Sequence, residues 1–314
     1  LITRDPLVNQ LLSAYDSELK FKLFRYSGSF FGRWVKRLRL MLTLKFSKFD
    51  VLISTTHAAD KEHLMVRASR AKKRFGIQTN IDAHDVSFDE VAPASRMIHE
   101  VERYNSLVEL AGAAPDSAMP GLEIPTDAQV LATELIPEHS ERICIAIHAG
   151  SGSFMVYKRW DIQNFAKLMD VLASRLNCQF FLFGGPDEID LANSLASLVG
   201  SECVVLAGQT DLMTTIACLA KCDLLVSNDS GVSHLADVVS LKSVTVYGPT
   251  SEFKNRPTTA GSLTVRSESS YCEAERENIC ESCSPGYLAS GEQPWCLNNL
   301  SVERVTDSVM KLVG

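Results

Sequence analysis

Three short segments in the second half of the chain combine small residues with charged or hydroxyl side chains. Residues 148–153 are His-Ala-Gly-Ser-Gly-Ser and precede the basic pair Lys158-Arg159. Residues 183–188 are Phe-Gly-Gly-Pro-Asp-Glu, and residues 227–234 are Ser-Asn-Asp-Ser-Gly-Val-Ser-His. Small residues let backbone N–H groups approach an anion closely, and a basic pair neutralises its charge. In this order, the three segments favour a site for a nucleotide diphosphate.

Each segment has a predicted task and a structural alternative. The Glu188 carboxylate would accept hydrogen bonds from both hydroxyls of a ribose. The helix predicted to begin near Ser230 would direct free N–H groups and a positive dipole end at phosphate. The structural alternatives are a tight turn at Gly184-Gly185, a helix N-cap at Asp229-Ser230 and a solvated helix start at Lys158-Arg159. The three segments together, on one predicted sheet, favour binding.

The elements that must position these segments alternate regularly from residue 141 onward. Near-continuous apolar strands are predicted at 143–147, 180–183, 204–206, 224–226 and 243–247. Helices are predicted between them, at 160–176, 189–198, 212–220 and 232–239. This alternation indicates a parallel sheet with helices on both faces. Ligands bind such sheets at the carboxyl ends of the strands, where the three segments lie.

The length of 314 residues, with 46% hydrophobic residues, predicts two domains that each bury a core. Residues 113–140 contain four prolines and a Gly121 that favour irregular structure, so the interdomain connection is placed there. We predict a first domain over 1–125, a second over 126–300, and a helix over 301–314 at the domain junction. Ser301 is the predicted N-cap of that helix.

Composition excludes several classes of protein. The formal net charge of −7 argues against a nucleic-acid binder. No run of 18 uncharged apolar residues and no signal peptide at Leu1 are found, so a cytoplasmic protein is expected. Five cysteines in or beside apolar segments are predicted to be small buried hydrophobes: Cys144, Cys178, Cys203, Cys218 and Cys222.

Two further features leave alternatives open. Residues 20–48 hold nine Lys or Arg, no acidic residue and several aromatics. This stretch would either face anionic lipid or be a solvated helix face whose aromatics pack inward. A second group, Cys272, Cys280, Cys283 and Cys296, contains one Cys-x-x-Cys pair, for which reduced structural thiols are favoured over zinc.

Residues 141–257 resemble the donor domain of glycosyltransferase family 9, the bacterial heptosyltransferases. The resemblance rests on four motifs: His148-Ala149-Gly150-Ser151 followed by Lys158-Arg159-Trp160 and Phe165-Ala166, Gly184-Gly185-Pro186-Asp187-Glu188, Asp229-Ser230-Gly231-Val232-Ser233-His234-Leu235-Ala236, and Tyr247-Gly248-Pro249-Thr250. A looser match, His99-Glu100-Val101-Glu102-Arg103, extends it into the first domain. The resemblance implies an α/β fold of the GT-B type, with two Rossmann-like parallel-sheet domains facing a central cleft.

The resemblance also implies a reaction and roles for individual residues. Sugar, in the family typically heptose from ADP-heptose, would pass with inversion to a lipid-linked lipopolysaccharide core at the inner membrane. No metal or cofactor is expected, because Lys158 and the helix end would stabilise the leaving diphosphate. The implied catalytic residues are Lys158, Asp229 and His234. The implied donor-binding residues are Ser151, Lys158, Glu188, Asp229, Ser230, Gly231, Val232 and His234.

The opening of the chain departs from the family pattern. Family members begin with a strand and a Gly-Asp turn that supplies the general base, but no Gly-Asp follows Leu1-Ile2-Thr3. Either the first strand and helix are missing, or the catalytic Asp comes from elsewhere in the chain, for which Asp60, Asp82 and Asp85 are the candidates. The alternatives are a truncated or degenerate member that binds nucleotide sugar without transfer, and a GT-B-like sugar-nucleotide epimerase. A dinucleotide oxidoreductase is disfavoured, because residues 150–153 lack the Gly-x-Gly-x-x-Gly spacing.

Overall fold

The structure, a computed structural model, describes most of the chain. The described residues are 30–46, 49–55, 66–77, 87–93, 98–115, 122–137, 141–152, 155–267 and 294–314. The chain divides into two compact units, Leu1–Pro120 and Gly121–Gly314. Within the described ranges, no helix is both long enough and apolar enough to cross a bilayer.

The first unit contains a small parallel sheet. Its described elements are α1 (Phe30–Phe46), β1 (Val51–Ile53), β2 (Lys73–Ile77), β3 (Glu90–Ala92) and α2 (Glu100–Leu110). The strand order is β1-β2-β3, and both pairings are parallel. The core of this sheet is formed by Phe75, Ile77, Ala92 and Leu107, so α2 packs on the sheet through Leu107.

The second unit is built on a larger sheet of six parallel strands. The strands are β4 (Ile143–His148), β5 (Cys178–Leu182), β6 (Cys203–Val205), β7 (Leu224–Asn228), β8 (Ser243–Val246) and β9 (Leu263–Val265). The helices are α3 (Thr126–Leu135), α4 (Ile162–Arg175), α5 (Ile189–Leu198), α6 (Leu212–Leu219), α7 (Gly231–Val238), α8 (Glu252–Asn255), α9 (Trp295–Asn298) and α10 (Val302–Val313). Short 3₁₀ turns lie at Val156–Lys158 and Pro186–Glu188.

The six strands are ordered β6-β5-β4-β7-β8-β9 in the sheet. The chain moves outward in one direction from β4 to β6 and then crosses back to place β7 on the other side of β4. In doubly wound sheets this reversal opens a crevice at the carboxyl ends of the two central strands. The crevice of this sheet is therefore expected beyond His148 of β4 and Asn228 of β7.

Residues that alternate along each strand supply two cores, one on each face of the sheet. Ile145 and Ile147 of β4 pack with α4 and α10 on one face, whereas Cys144 and Ala146 pack with α3 and α6 on the other. The fully buried Trp160 lies in the first core, where its indole Nε1–H donates to the carbonyl of Leu300 at 3.2 Å. The three segments singled out in the sequence are thus attached to a sheet that helices cover on both faces.

The interpretation of residues 113–140 as irregular was wrong in part. Helix α3 occupies Thr126–Leu135 and packs on α6 through the buried residues Ala128 and Ala132. Pro125 stands at its N-cap, and Pro137 follows its C-cap, Ile136. Proline is tolerated at the start of a helix and just beyond its end, so these prolines bracket a helix and do not disrupt one.

Candidate functional site

The candidate site lies at the carboxyl ends of four neighbouring strands of the second unit. Strands β5, β4, β7 and β8 are adjacent in the sheet, and each predicted segment follows one of the first three. The loop after β8, residues 247–250, joins them through a hydrogen bond from Thr250 to Asp229. The structure therefore brings together the segments that the sequence singled out, in two linked clusters of polar side chains.

The first cluster is centred on Glu188, which is 5% exposed. Its Oε1 accepts from the backbone N–H groups of Ser151 and Gly152, both at 2.9 Å. Its Oε2 accepts from the Gly185 N–H at 3.2 Å and faces His148 Nε2 at 2.9 Å. Arg159 Nη2 also donates to Oε1, at 3.5 Å. These contacts fill the acceptor capacity of a carboxylate, so Glu188 holds the loop after β4 against the loop after β5.

Two glycines make room for this carboxylate. A Cβ atom at Gly150 would overlap the Glu188 carboxylate oxygens, and one at Gly184 would lie 3.1 Å from the Glu188 Cβ. The small residues that suggested close approach of an anion are therefore already used by an anion of the protein itself. The Gly-rich loops thus enclose Glu188.

The charge state of Glu188 follows from these contacts. Burial by itself would raise the pKa of Glu188. The hydrogen bond and charge of His148 and the N–H groups of Gly152 and Gly185 outweigh burial and lower the pKa from 4.5 to about 2. Glu188 is therefore an anion at neutral pH and accepts hydrogen bonds without donating any.

The second cluster joins Lys158, Asp229 and Thr250. The Lys158 ammonium donates to Asp229 Oδ2 at 2.8 Å, and the Thr250 hydroxyl donates to the same oxygen at 2.7 Å. The side chains of Lys158 and Asp229 are 13% and 5% exposed, respectively. An ammonium group has three N–H donors, so two of those on Lys158 remain for a ligand after the bond to Asp229.

Helix α7 begins between these clusters. Ser230 is its N-cap residue, but the Ser230 hydroxyl makes no capping bond. The hydroxyl lies 3.0 Å from His148 Nδ1 instead. Gly231 and Val232 are the first two residues of the helix, whose N–H groups have no partner within the helix, and His234 lies in its first turn. The three backbone donors assigned to phosphate thus stand at one helix end.

The N-cap interpretation of Asp229-Ser230 is only partly correct, because Ser230 occupies the N-cap position without capping through its side chain. Likewise, the segment Lys158-Arg159 is not a solvated helix start. Arg159 Nε donates to the Ser151 hydroxyl at 3.3 Å and its Nη2 donates to the Gly152 carbonyl at 3.2 Å. Both basic side chains point to the loops after β4 and β7 and are mostly buried.

Sequence reasoning missed Asn228, which is completely buried beneath the site. Its Oδ1 accepts from the Trp160 N–H at 3.0 Å. Its Nδ2 donates to the carbonyls of Ala149 and Gly150 at 2.8 and 3.2 Å. One amide therefore sets the position of the loop after β4 and of the chain that follows Lys158. The available signal was the polar pair Ser227-Asn228 at the end of a strand that begins with apolar residues.

A second missed residue is Arg266, which braces the loop after β8. It donates to the carbonyls of Gly248 and Thr250 at 2.8 and 3.3 Å, and it pairs with Glu252. These bonds position Thr250 against Asp229. Arg266 follows β9, a strand that the periodicity did not indicate, so the sequence carried no signal for this contact.

Some predicted residues lie outside the described part of the chain. These are the candidate bases Asp60, Asp82 and Asp85, the cysteines Cys272, Cys280 and Cys283, and residues 20–29 and 47–48 of the basic stretch. Cys296 is described and is buried on α9. Of the five cysteines expected inside, Cys144, Cys218 and Cys222 are buried, and Cys178 and Cys203 are partly buried. Among the described residues, no group of three or more His, Cys, Asp or Glu is arranged to hold a metal ion.

A parallel sheet of this order, with basic, hydroxyl and helix N-terminal groups at its switch point, has the doubly wound architecture of Rossmann-type domains. Comparison with models of known protein families identifies the family within this class of fold. The family model for glycosyltransferase family 9 (heptosyltransferase) matches residues 37–283, and the chain belongs to this family. The match includes every residue of the two polar clusters.

Sequence relatives agree with this assignment. Lipopolysaccharide heptosyltransferase 2 of Salmonella typhimurium is 30% identical over 225 residues, which cover 68% of this chain and 61% of the relative. Lipooligosaccharide heptosyltransferase 2 of Haemophilus ducreyi is 34% identical over 115 residues, which cover 35% of this chain and 33% of the relative. The matched part of this chain thus spans less than two thirds of the length of either relative.

Solved structures confirm the fold. A family 9 glycosyl transferase of Veillonella parvula superposes with a TM-score of 0.70 at 18% identity, covering 97% of this chain and 86% of that chain. ADP-heptose lps heptosyltransferase II of E. coli gives a TM-score of 0.63 at 21% identity, covering 89% and 81%. The E. coli heptosyltransferase WaaC with ADP gives 0.60 at 19% identity, covering 93% and 83%. The predicted α/β fold of the GT-B type is confirmed.

Proposed function

We propose that this protein transfers heptose from ADP-heptose to a lipopolysaccharide core acceptor and that its second unit holds the donor. The observation that carries the proposal is the position of the mostly buried Lys158–Asp229 pair, next in sequence to the N-cap of α7. The ammonium and the helix end would bind the diphosphate and stabilise its charge as the sugar leaves.

The two clusters suit different parts of the donor. The N–H groups of Ser230, Gly231 and Val232 would donate to phosphate oxygens, as would the remaining donors of Lys158. Asp229, held by Lys158 and Thr250, would face the sugar together with His234. Glu188 was assigned to the ribose from sequence, but its oxygens are occupied by protein donors. A role in positioning the two loops is better supported for it than direct ribose contact.

The acceptor proposed from the family is lipid-linked, and helix α1 offers a surface suited to a membrane. Leu38, Leu42 and Phe46 are spaced four residues apart and are 44%, 46% and 75% exposed. The basic side chains of Arg39 and Lys45 are exposed on the same helix. Exposed apolar and basic residues on one helix are typical of binding to an anionic lipid surface. We propose that this helix contacts such a surface.

The proposal is tested by measuring heptose transfer and ADP binding with the same preparations. Wild-type protein should transfer heptose from ADP-heptose to a lipopolysaccharide core acceptor and should bind ADP in calorimetry. Lys158→Ala should weaken ADP binding by about 1.5–3 kcal/mol, because a desolvated charge-assisted contact is lost. Lys167→Ala is the matched control, since Lys167 is exposed on the neighbouring helix α4.

The outcomes separate the proposal from its alternatives. Binding of ADP without transfer indicates a member that holds nucleotide sugar but lacks catalysis. Interconversion of the donor sugar without any acceptor indicates an epimerase. Unchanged ADP affinity in Lys158→Ala removes Lys158 from the site.

A further inference from the structure

The carboxylate of Asp229 receives its hydrogen bonds from the protein on one oxygen only. The Lys158 ammonium and the Thr250 hydroxyl both donate to Oδ2, at 2.8 and 2.7 Å. Among the residues that the structure describes, none donates to Oδ1. The backbone of Asp229 is fixed as well, because its N–H donates to the carbonyl of Val246, the last residue of β8, at 3.0 Å. The carboxylate therefore has one oxygen bound to the protein and one oxygen left for a ligand.

Thr250 restricts this carboxylate more than Lys158 does. The Lys158 ammonium ends a flexible stem and could follow either oxygen. Thr250 is β-branched, so its χ1 angle has few allowed values, and its backbone is held by Arg266. The Arg266 guanidinium donates to the carbonyls of Gly248 and Thr250 at 2.8 and 3.3 Å. The Thr250 hydroxyl is thus a fixed donor that determines which oxygen of Asp229 faces the protein.

The loop that carries Thr250 is also fixed by packing. Arg266 pairs with Glu252, and their side chains are only 17% and 12% exposed. A Cβ atom at Gly248 would lie 2.7 Å from the Cγ atom of Leu297, so the loop lies directly on this fully buried side chain. Hydrogen bonds and packing together therefore keep the loop after β8 in one position.

The Oδ1 atom of Asp229 limits the kind of group that can lie next to it. An ionised carboxylate oxygen accepts hydrogen bonds and repels another anion. The oxygens of a diphosphate would therefore bind the Lys158 ammonium and the start of α7, whereas Oδ1 suits a hydroxyl group that donates. In a nucleotide sugar, the sugar attached to the diphosphate supplies such hydroxyls.

We infer that Thr250 is a positioning residue for the sugar part of the donor, because it turns Asp229 so that Oδ1 accepts from a sugar hydroxyl. This inference rests on the proposed donor site. It distinguishes two ligands of that site, since ADP carries no sugar on its terminal phosphate and ADP-heptose does. Loss of the Thr250 hydroxyl should therefore weaken the binding of ADP-heptose and leave the binding of ADP unchanged.

The test compares ADP with ADP-heptose in calorimetry and measures kcat and KM for heptose transfer. Thr250→Val removes the hydroxyl but keeps the size and the branching of the side chain. We expect this variant to bind ADP-heptose about tenfold more weakly and to lower kcat/KM by about tenfold or more, because the carboxylate loses its orientation. The Kd for ADP should change by less than about twofold, since ADP makes no use of Oδ1.

Three control variants separate positioning from a structural role. Thr250→Ser keeps the hydroxyl and should stay within about threefold of the wild type in ADP-heptose affinity and in kcat/KM. Thr250→Ala removes the hydroxyl without placing a methyl group beside the carboxylate, and it should repeat the effect of Thr250→Val. Thr264→Val makes the same exchange at an exposed position of β9 and should change the affinity for neither ligand.

A background that lacks the carboxylate shows whether Thr250 acts through Asp229. In Asp229→Ala, adding Thr250→Val should change ADP-heptose affinity by less than about twofold, because the group that Thr250 positions is gone. A further loss of about tenfold in that background would show that the hydroxyl contacts the donor itself, and this would overturn the inference.

The remaining outcomes distinguish this inference from the proposed function. Unchanged ADP-heptose affinity and kinetics in Thr250→Val, with or without a lower Tm, would overturn the positioning role and leave the donor site standing. An equal loss of affinity for ADP and ADP-heptose would also overturn it, because the hydroxyl would then serve the diphosphate. If the wild-type protein binds neither ligand, the donor site fails and this inference fails with it.

Discussion

Lys158 and Asp229 are 71 residues apart in the chain, yet the ammonium and the carboxylate meet at 2.8 Å beside the start of α7. The pair is mostly buried, so each charge depends on the other for its compensation. Removing one of them leaves the other without its partner in a poorly solvated place. If the proposed donor site is correct, this coupling makes Asp229 the residue that fixes where the Lys158 charge lies relative to the diphosphate.

Asp229→Asn should therefore impair turnover more than ADP binding. The neutral amide still accepts from Thr250 but holds the ammonium less firmly, and small misplacement of a reacting group lowers rates strongly. We expect kcat/KM to fall by about tenfold or more, whereas the Kd for ADP changes by less than about fivefold. Steady-state kinetics and calorimetry measure the two effects. Intact kinetics with a lower Tm would show that Asp229 has only a structural role.

Glu188→Gln should change how stability depends on pH. The pKa of Glu188 is about 2 in the folded chain and 4.5 ordinarily, so ionised Glu188 stabilises the fold above pH 4.5. This contribution, about 3 kcal/mol from the size of the shift, disappears as the pH falls from 4.5 toward 2. The free energy of unfolding of the variant should lie below that of the wild type at pH 7 and approach it in acid. Urea titrations at several pH values test this, and parallel curves would contradict it.

Gly150→Ala and Gly231→Ala form a matched pair of substitutions. The added Cβ at position 150 would overlap the Glu188 carboxylate, whereas the Cβ at position 231 meets no atom within 4 Å. We expect Gly150→Ala to lower the free energy of unfolding by about 1–3 kcal/mol and Gly231→Ala to leave it nearly unchanged or slightly raised. Thermal unfolding distinguishes them. Similar Tm values for both variants would show that the loop after β4 shifts to accept the Cβ atom at position 150 without a loss of stability.

Leu42→Glu should weaken binding to anionic vesicles. Leu42 is the middle one of the three exposed apolar residues Leu38, Leu42 and Phe46 of α1. The substitution removes this apolar side chain and adds a charge that anionic lipid repels. The combined cost is about 1–2 kcal/mol, or roughly tenfold in the partition coefficient. Sedimentation with vesicles of phosphatidylcholine and phosphatidylglycerol measures it. Leu198→Glu, at a position 47% exposed on α5, is the control, and an equal loss for both variants would refute a specific role of α1.

The sequence predicted the second unit well because its strands are buried on both faces and its helices are amphipathic. Helix α5 was predicted over 189–198 and is found at Ile189–Leu198, and the capped final helix begins after Ser301 as expected. Periodicity was less informative in the first unit. The apolar Val101 and the aromatic Tyr104 of α2 are exposed, whereas Arg103 is fully buried and bonded to Glu100 at 2.8 Å. Hydrophobic pattern alone does not reveal a buried ion pair.

The separate segments of the site could be predicted, but their contacts could not. Small residues and helix starts are local signals, and they identified Lys158, Glu188 and Ser230. The contact of His148 with Ser230 joins residues 82 positions apart and exists only because β7 lies beside β4. That adjacency depends on strand order, which the alternation of helices and strands leaves undetermined.

The same strand order has a consequence for how the protein matures. Strands β5 and β6 lie between β4 and β7 in sequence but not in the sheet, so the two central strands pair only after a long intervening segment has closed. The carboxyl ends of β4 and β7, where the proposed donor site lies, are therefore expected to come together late in folding, and a chain in which these strands are unpaired should bind nucleotide weakly. A nucleotide that binds there would protect the entire second unit from proteases, and not merely the loops it touches.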